Sequence, residues 1–502
     1  MPVRVTVKGA GEDKVYVLSP GESIFELLMR QENIFLSFCG GKGLCGRCRI
    51  QFVGQAPLPK AEERRFILPD ELRAGMRLAC LARPNADCSI ILAFPEEKKR
   101  DIITIYDNTY VNGRIQKEEN SKIQEEGKKK LQNKQIVAID LGTTTIAMQL
   151  LDAWSGRILK ESRFLNPQRK WGPDVISRME ASISGERKNM QQVTVKVLEE
   201  EIRKLTTDTD VLIAIAGNTV MEHILNGFDV TGMSVYPFTP IQLNQMELDI
   251  GAYHAILLPG ISSFVGADIT AGIYALGMQN SEEINLLLDL GTNGEMVLGN
   301  RSRMIATATA AGPAFDGGTL SEVAGSDMIT VTAQLLEEGI LDETGLFKEP
   351  YFRQGYQVQK ACIYQQDIRN LQMAKAAVKT GIMMLQEQFG ITFAQIAHVY
   401  LAGGFGYHLD VAKANRIGMI PKELQGKVIA VGNTSLLGAY LYAREQLKQK
   451  EKDRPISDIQ INEVESMRRC MKVLNLATQA SFEERYLGAM NFDNQHAYIY
   501  SK

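Results

Sequence analysis

The sequence predicts a multidomain α/β protein: a small cysteine-bearing sheet domain, a charged connection, and a larger body that uses one structural unit twice. Three observations predict this. Cys39, Cys45, Cys48, Cys80 and Cys88 fall within the first 88 of 502 residues, leaving only Cys362 and Cys470 beyond. Residues 96–133 are dense in Lys, Arg, Glu and Asp and have little apolar periodicity, the signature of a linker. From Gln135 the composition turns globular, and the turn Asp140-Leu-Gly-Thr returns as Asp289-Leu-Gly-Thr inside a matching strand pattern.

Length alone suggests about three domains. Hydrophobic residues make up 45% and charged residues 23%, ordinary for globular chains. A net charge of −3 gives no global field for nucleic acid or anionic membrane. No apolar run approaches the ~20 residues of a spanning helix. The N-terminus, MPVRVTVKGAGEDKVYVLSP, reads as strand–turn–strand rather than as a signal peptide, so a cytoplasmic protein is expected, with neither nucleic acid nor membrane as a partner. The five histidines are scattered and read as structural.

Residues 3–8 and 14–18 alternate apolar and polar and predict a hairpin. A helix should follow from Ser23, its N-cap, through Ile24-Phe-Glu-Leu-Leu-Met. Next come the loop Cys39-Gly-Gly-Lys-Gly-Leu-Cys45-Gly-Arg-Cys48, a strand at Arg49–Val53, the segment 72–81 with Cys80, and a strand at 88–92 expected to close the sheet. The spacing C-x5-C-x2-C with a distant fourth cysteine is one residue longer than the plant-type [2Fe–2S] pattern. Its glycines let backbone N–H groups approach sulfides. Cys39, Cys45, Cys48 and Cys80 are the candidate ligands, with Cys88 the substitute for Cys80. A tetrahedral zinc site is the alternative, but zinc ribbons favour two C-x2-C knuckles and only one is present. The order of elements resembles the β-grasp fold of [2Fe–2S] ferredoxins, and the loop length resembles that of ferredoxins serving bacterial and mitochondrial oxygenases.

In the body, Ile136–Leu151 and Ile284–Gly299 each read strand, Gly-Thr turn, strand, and a third strand follows each. Leu212-Ile-Ala-Ile-Ala-Gly217 corresponds to Val399-Tyr-Leu-Ala-Gly403, and the segment from Leu258 corresponds to that from Ile429. Each half therefore reads βββ, helix, βα, βα. Two such halves facing one another make a cleft. The expected domains are 1–95, 96–133 (linker), 134–280, 281–448 and a helical tail at 449–502.

An Asp-x-Gly-Thr hairpin tip can donate backbone N–H groups and hydroxyls to phosphoryl oxygens. Gly142, Thr143, Thr144 and Thr145 are the candidates in the first copy, and Gly291, Thr292 and Asn293 in the second. Asp140 and Asp289 can hold Mg²⁺ through water or position a water. Glu295 and Asp289 are both candidates for the hydrolytic base, and Glu295 also reads as a strand-edge charge. Gly403 and Gly404, in Ala402-Gly-Gly-Phe-Gly406, suit a surface for an adenosine, or a tight strand–helix turn. No GxxxxGK[ST] occurs, so this is not a P-loop protein. These motifs resemble the actin and sugar-kinase superfamily. The resemblance implies two RNase H-like halves over about 134–448 that bind ATP and Mg²⁺.

The cysteine head, linker and ATPase body together resemble the reductive activators of corrinoid proteins, essentially over the whole chain. That resemblance implies an ATP-hydrolysing iron–sulfur reductase. It would return one electron from a [2Fe–2S] cluster to Co(II) in a corrinoid protein of a methyltransferase system, regenerating Co(I). It also implies an upstream electron donor and a dimer. Plant-type clusters sit near about −400 mV, and Co(I) is a stronger reductant, so ATP would drive the uphill step. The competing readings are an ATP-driven donor to another low-potential enzyme, a small-molecule kinase with a redox-sensing head, and an ATP-dependent scaffold.

Overall fold

The computed structural model describes residues 3–8, 13–32, 43, 48–67, 69–92, 131–291, 293–310, 325–358, 361–449 and 460–492. Cys39, Cys45, Thr292 and nearly all of the 96–133 linker lie outside the described residues. The chain forms two compact units, Met1–Ile102 with Pro167–Ala181 and Ile103–Asn166 with Ser182–Lys502.

In the first unit, β1 (Val3–Lys8) and β2 (Lys14–Leu18) form the expected antiparallel hairpin. Helix α1 (Ile24–Glu32) starts at Ser23. The Glu26 backbone N–H donates to Ser23 Oγ, and the Ser23 N–H donates to Glu26 Oε2 at 2.6 Å, a reciprocal capping box. Its Ile24, Leu27 and Leu28 are fully buried on the sheet. Strand β3 (Arg49–Val53) pairs with β4 (Met76–Leu78), and β5 is Cys88–Leu92. The order is β2-β1-β5-β3-β4. Thus β5 does not close the sheet as expected. It lies in the middle, parallel to β1 and antiparallel to β3. Val7, Ile90 and Phe52 fall in one row across these strands, and Ile90 and Phe52 are buried. A central position covers both flanks of that apolar row.

The body begins with β6 (Gln135–Leu141), β7 (Thr145–Asp152) and β8 (Ile158–Leu165). Helix α2 (Arg187–Leu205), β9 (Leu212–Gly217), α3 (Thr219–Leu225), β10 (Met246–Ile250), β11 (Tyr253–Leu257) and α4 (Ala267–Leu276) complete the first half. The second half repeats it with β12 (Ile284–Leu290), β13 (Gly294–Asn300), β14 (Arg303–Thr309), α5 (Gly325–Glu337), the hairpin β15 (Tyr356–Val358) and β16 (Ala361–Ile363), and α6 (Gln365–Phe389). Then come β17 (Ile396–Ala402), α7 (Gly403–His408), β18 (Val428–Gly432) and α8 (Thr434–Gln449). The tail supplies α9 (Gln460–Arg469), β19 (Met471–Val473) and α10 (Phe482–Met490).

The sheets run β10-β11-β9-β6-β7-β8 and β18-β17-β12-β13-β14-β19. Without β10 and β19 the two orders are identical. Strand β10 is an insertion in the first copy, and the tail, expected to be helical, also adds β19 beside β14. Strand alternation sorts the layers. Leu286, Leu288, Leu290, Met296 and Leu298 join the core under α6. Leu287 and Val297 join a core shared with Ala138, Ala147, Ala214 and Ala216 of the first half. Helices α4 and α8 cross within this shared layer. Gly438 is required there, because a Cβ would collide with the backbone of Ala271. Asp140 and Asp289 follow the same alternation, so both aspartates face the layer between the halves.

Candidate functional site: a buried cysteine pair and a carboxylate-lined cleft

In the first unit, Cys48 precedes β3 and Cys80 lies in the turn after β4. Both are buried, and their Sγ atoms are 3.1 Å apart. That is well beyond the roughly 2.05 Å of a disulfide, and neither thiol is in one. The Cys80 N–H points at Cys48 Sγ at 3.5 Å. Two converging thiols with a backbone donor aimed at sulfur fit a metal–sulfur site. Cys88 lies on a mid-sheet strand. Burial, and secondarily the charge of Asp87, pushes its thiol up to about 11, so it stays protonated at neutral pH.

The body cleft is built from the two hairpin tips. Gly142, Thr143 and Thr144 form the first tip, and Thr145 opens β7. Asn166, fully buried, braces this tip: its Nδ2 donates to Gly142 O at 2.8 Å and its N–H to Thr144 O at 3.0 Å. Gly291 and Asn293 form the second tip, closed by Gly291 N–H to Asn293 O at 2.8 Å. Thr309 Oγ1 donates to Gly294 O at 3.1 Å, the counterpart brace. Gly403 has φ +85°, and a Cβ there would lie 2.9 Å from Asp289 Oδ1 and 3.0 Å from Leu290 O. Gly404 is different, because a Cβ there would meet nothing within 4 Å.

Asp140 accepts a hydrogen bond from Asn433 Nδ2 at 2.7 Å. Asn433 belongs to the β18–α8 connection, so this bond ties the first half to the second. Burial pushes the Asp140 carboxyl up, opposed by Asn433, Ser435 and the charge of Arg163. Asp268, in the first turn of α4, is pushed up to about 7 by burial and by Asp140. Glu222 on α3 is raised well above its ordinary value by burial and by Asp268. Glu295 is buried and directly opposite Asp289 in the β12–β13 ladder. It too is raised strongly, by burial and then by Asp268 and Asp289. It is therefore no strand-edge charge. Like charges directly opposed across a ladder repel, so the protonated form of Glu295 is favoured.

Thus the structure gathers Asp140, Asp289 and Glu295 with both tips. It adds Asn433, Asp268, Glu222 and Asn166, which the sequence reading left out. Asn433 and Asp268 each follow the last strand of a half, so the internal repeat carried a usable signal for both. His223 is buried, with Nδ1 2.8 Å from Thr219 O, as a structural histidine should be. Among the described residues, no three Cys, His, Asp or Glu side chains stand close enough to cage a metal directly. The raised carboxyls still form an acidic pocket that a water-bridged divalent cation would relieve.

Residues 136–281 match the family described as the RACo middle region, and residues 283–322 and 320–502 match the C-terminal domain of RACo, the ASKHA domain. Residues 7–85 match the 2Fe-2S iron-sulfur cluster binding domain. The chain belongs to the RACo family. It pairs the family's ferredoxin-like head with an actin- and sugar-kinase-like body. The corrinoid activation enzyme RamQ of Eubacterium limosum is 28% identical over 378 residues, 61% of this chain. The chain spans 63% of the length of RamQ. The [Co(II) methylated amine-specific corrinoid protein] reductase of Methanosarcina barkeri is 21% identical over 442 residues, covering 72% of this chain and 77% of that protein. A solved reductive activator for a corrinoid, iron-sulfur protein shares the fold, with TM-score 0.62 and 23% identity over 98% of each chain. No helix among the described residues is long and apolar enough to cross a membrane.

Proposed function

We propose that this RACo-family chain is an ATP-dependent reductive activator. It passes one electron from a [2Fe–2S] cluster to Co(II) of a corrinoid protein in a methyltransferase system. The observation that carries this is the joining, in one chain, of a buried thiol pair on a ferredoxin-like sheet with a duplicated, carboxylate-lined cleft. The names of RamQ and of the M. barkeri reductase support the choice of acceptor.

Cys39, Cys45, Cys48 and Cys80 would hold the cluster, and Cys48 and Cys80 already converge. The cluster supplies a one-electron couple when bound. In the body, Gly142–Thr145 and Gly291–Asn293 donate to the phosphates of ATP from opposite sides. Asp140 and Asp268 would hold Mg²⁺ through water. Gly403 and Gly404 lie beneath the adenosine. Binding that pulls the tips together moves one half against the other through Asn433 and the α4–α8 crossing. The domains are then 1–95, 96–133, 134–280, 281–448 and 449–502, in a cytoplasmic dimer served by an upstream donor.

The test mixes the reduced full-length chain, Mg-ATP and a Co(II) corrinoid protein, and follows the Co(I) absorption band. Co(I) that forms only with ATP is expected. Absence of Co(I), with phosphorylation of a sugar instead, would move the assignment to a kinase.

A further inference from the structure

The two halves share a strand order, yet they place opposite charges beside their aspartates. In the first sheet one row across the ladder reads Asp140, Ala147, Arg163. In the second sheet the equivalent row reads Asp289, Glu295, Ala308. Residues in one row share a face, and Ala147, Val297 and Ala308 place these faces on the layer between the halves. Arg163 and Asp140 are two strand spacings apart, about 9.6 Å. The residue between them is alanine, whose small side chain leaves that row open for the long arginine side chain to lean toward the first hairpin tip. The charge of Arg163 is felt at Asp140. The same path in the second half is filled by a glutamate and ends in an alanine.

We infer that Arg163 is the cationic residue that receives the terminal phosphate of the bound nucleotide, reaching it across Ala147 beside the Gly142–Thr145 tip. The inference rests on the ATP reading of the cleft and deepens it. A guanidinium offers a rigid fork of donors matched to phosphoryl oxygens, and charge at the transferred phosphoryl group is what such sites neutralise. The duplicated cleft then has a polarity. On the first-half row Arg163 stands among the carboxylates as the positive charge that takes the γ-phosphoryl oxygens. The second-half row, with Glu295 opposite Asp289 and Ala308 beyond it, offers no such cation. A nucleotide therefore meets unlike walls, although the fold beneath them is the same.

Discrimination between ATP and ADP tests this, because a merely structural arginine would not set it. Affinities of the full-length chain for Mg-ATP and Mg-ADP are measured by calorimetry for wild type, Arg163→Met and Arg163→Lys. Arg163→Met should lose at least about tenfold in ATP affinity, with a much smaller loss for ADP. Arg163→Lys should recover part of the difference, since it restores charge without the fork. Equal loss for both nucleotides, or an unchanged ATP-to-ADP ratio in Arg163→Met, overturns the assignment and leaves the ATP reading standing. If Arg163→Met does not fold, Arg163→Lys decides: a lowered ATP-to-ADP affinity ratio supports the assignment, and a ratio equal to wild type overturns it. A wild-type chain that binds neither nucleotide overturns the ATP reading, and this assignment with it.

Discussion

Gly403 and Gly404 are neighbours in one glycine-rich turn, yet alanine should affect them very differently. Gly403 has φ +85°. An L residue in that left-handed region costs about 1–2 kcal/mol. A Cβ there would also stand 2.9 Å from Asp289 Oδ1 and 3.0 Å from Leu290 O, and forced overpacking adds about 1–3 kcal/mol. Gly403→Ala should therefore destabilise the body by about 2–5 kcal/mol, lowering its melting temperature by roughly 5–15 °C. It should also weaken Mg-ATP, because the clash pushes on Asp289. Gly404→Ala meets nothing within 4 Å. It gains roughly 0.5–1 kcal/mol of helix propensity in α7, so its melting temperature should hold or rise slightly. Scanning calorimetry and nucleotide titration of both variants decide the matter. Equal melting temperatures for the two, or a Gly403→Ala chain as stable as wild type, would refute the reasoning.

Cys45→Ala should abolish the visible absorption of the cluster and the reduction of Co(II), while the body still binds ATP. Loss of both activities together would mean that head and body are not separable. Asp268 is pushed up to about 7 in the folded body. The folded chain then binds a proton that the unfolded chain has released, and stability from this group is lost as pH rises from about 4 to 7. Asp268→Asn should melt higher than wild type above pH 7 without nucleotide, and converge with it near about pH 4. A difference independent of pH would sink this. Asn433→Ala removes the bond to Asp140, a contact to a charged group worth about 1.5–3 kcal/mol. ATP turnover should drop about tenfold or more, and further in Asn433→Asp, where like charges meet. Turnover equal to wild type in Asn433→Ala would show that the inter-half tie is dispensable.

Much of the chain was legible because its signals are local. Alternation over 3–8 and 14–18 marked a hairpin, and Ser23 marked an N-cap, to which the structure adds the reciprocal bond from Glu26. The internal repeat showed through because each half must bury the same faces, which fixes the same apolar runs. Strand β5 was misplaced for the complementary reason. Its pattern shows that Ile90 points inward, but alternation is the same for a central strand and an edge strand. Only the rows Val7–Ile90–Phe52 choose between them. Glu295 was ambiguous likewise, since a lone glutamate in a strand looks solvated until the register sets it against Asp289.

The sequence by itself determined the parts: a cysteine loop with the spacing of a [2Fe–2S] site, and two Asp-Leu-Gly-Thr hairpins in a duplicated body. These are set by residue type and short-range spacing, which need no partner to be read. The tertiary structure alone decided which groups meet. It brought Cys80 to within 3.1 Å of Cys48 and Asn433 to within 2.7 Å of Asp140. It also gave the aspartates of two like halves unlike neighbours, Arg163 across from one and Glu295 beside the other. The cysteine pair joins residues 32 positions apart and the Asn433–Asp140 bond residues 293 apart, and strand register and helix packing, acting over whole sheets, are what choose all of these pairings.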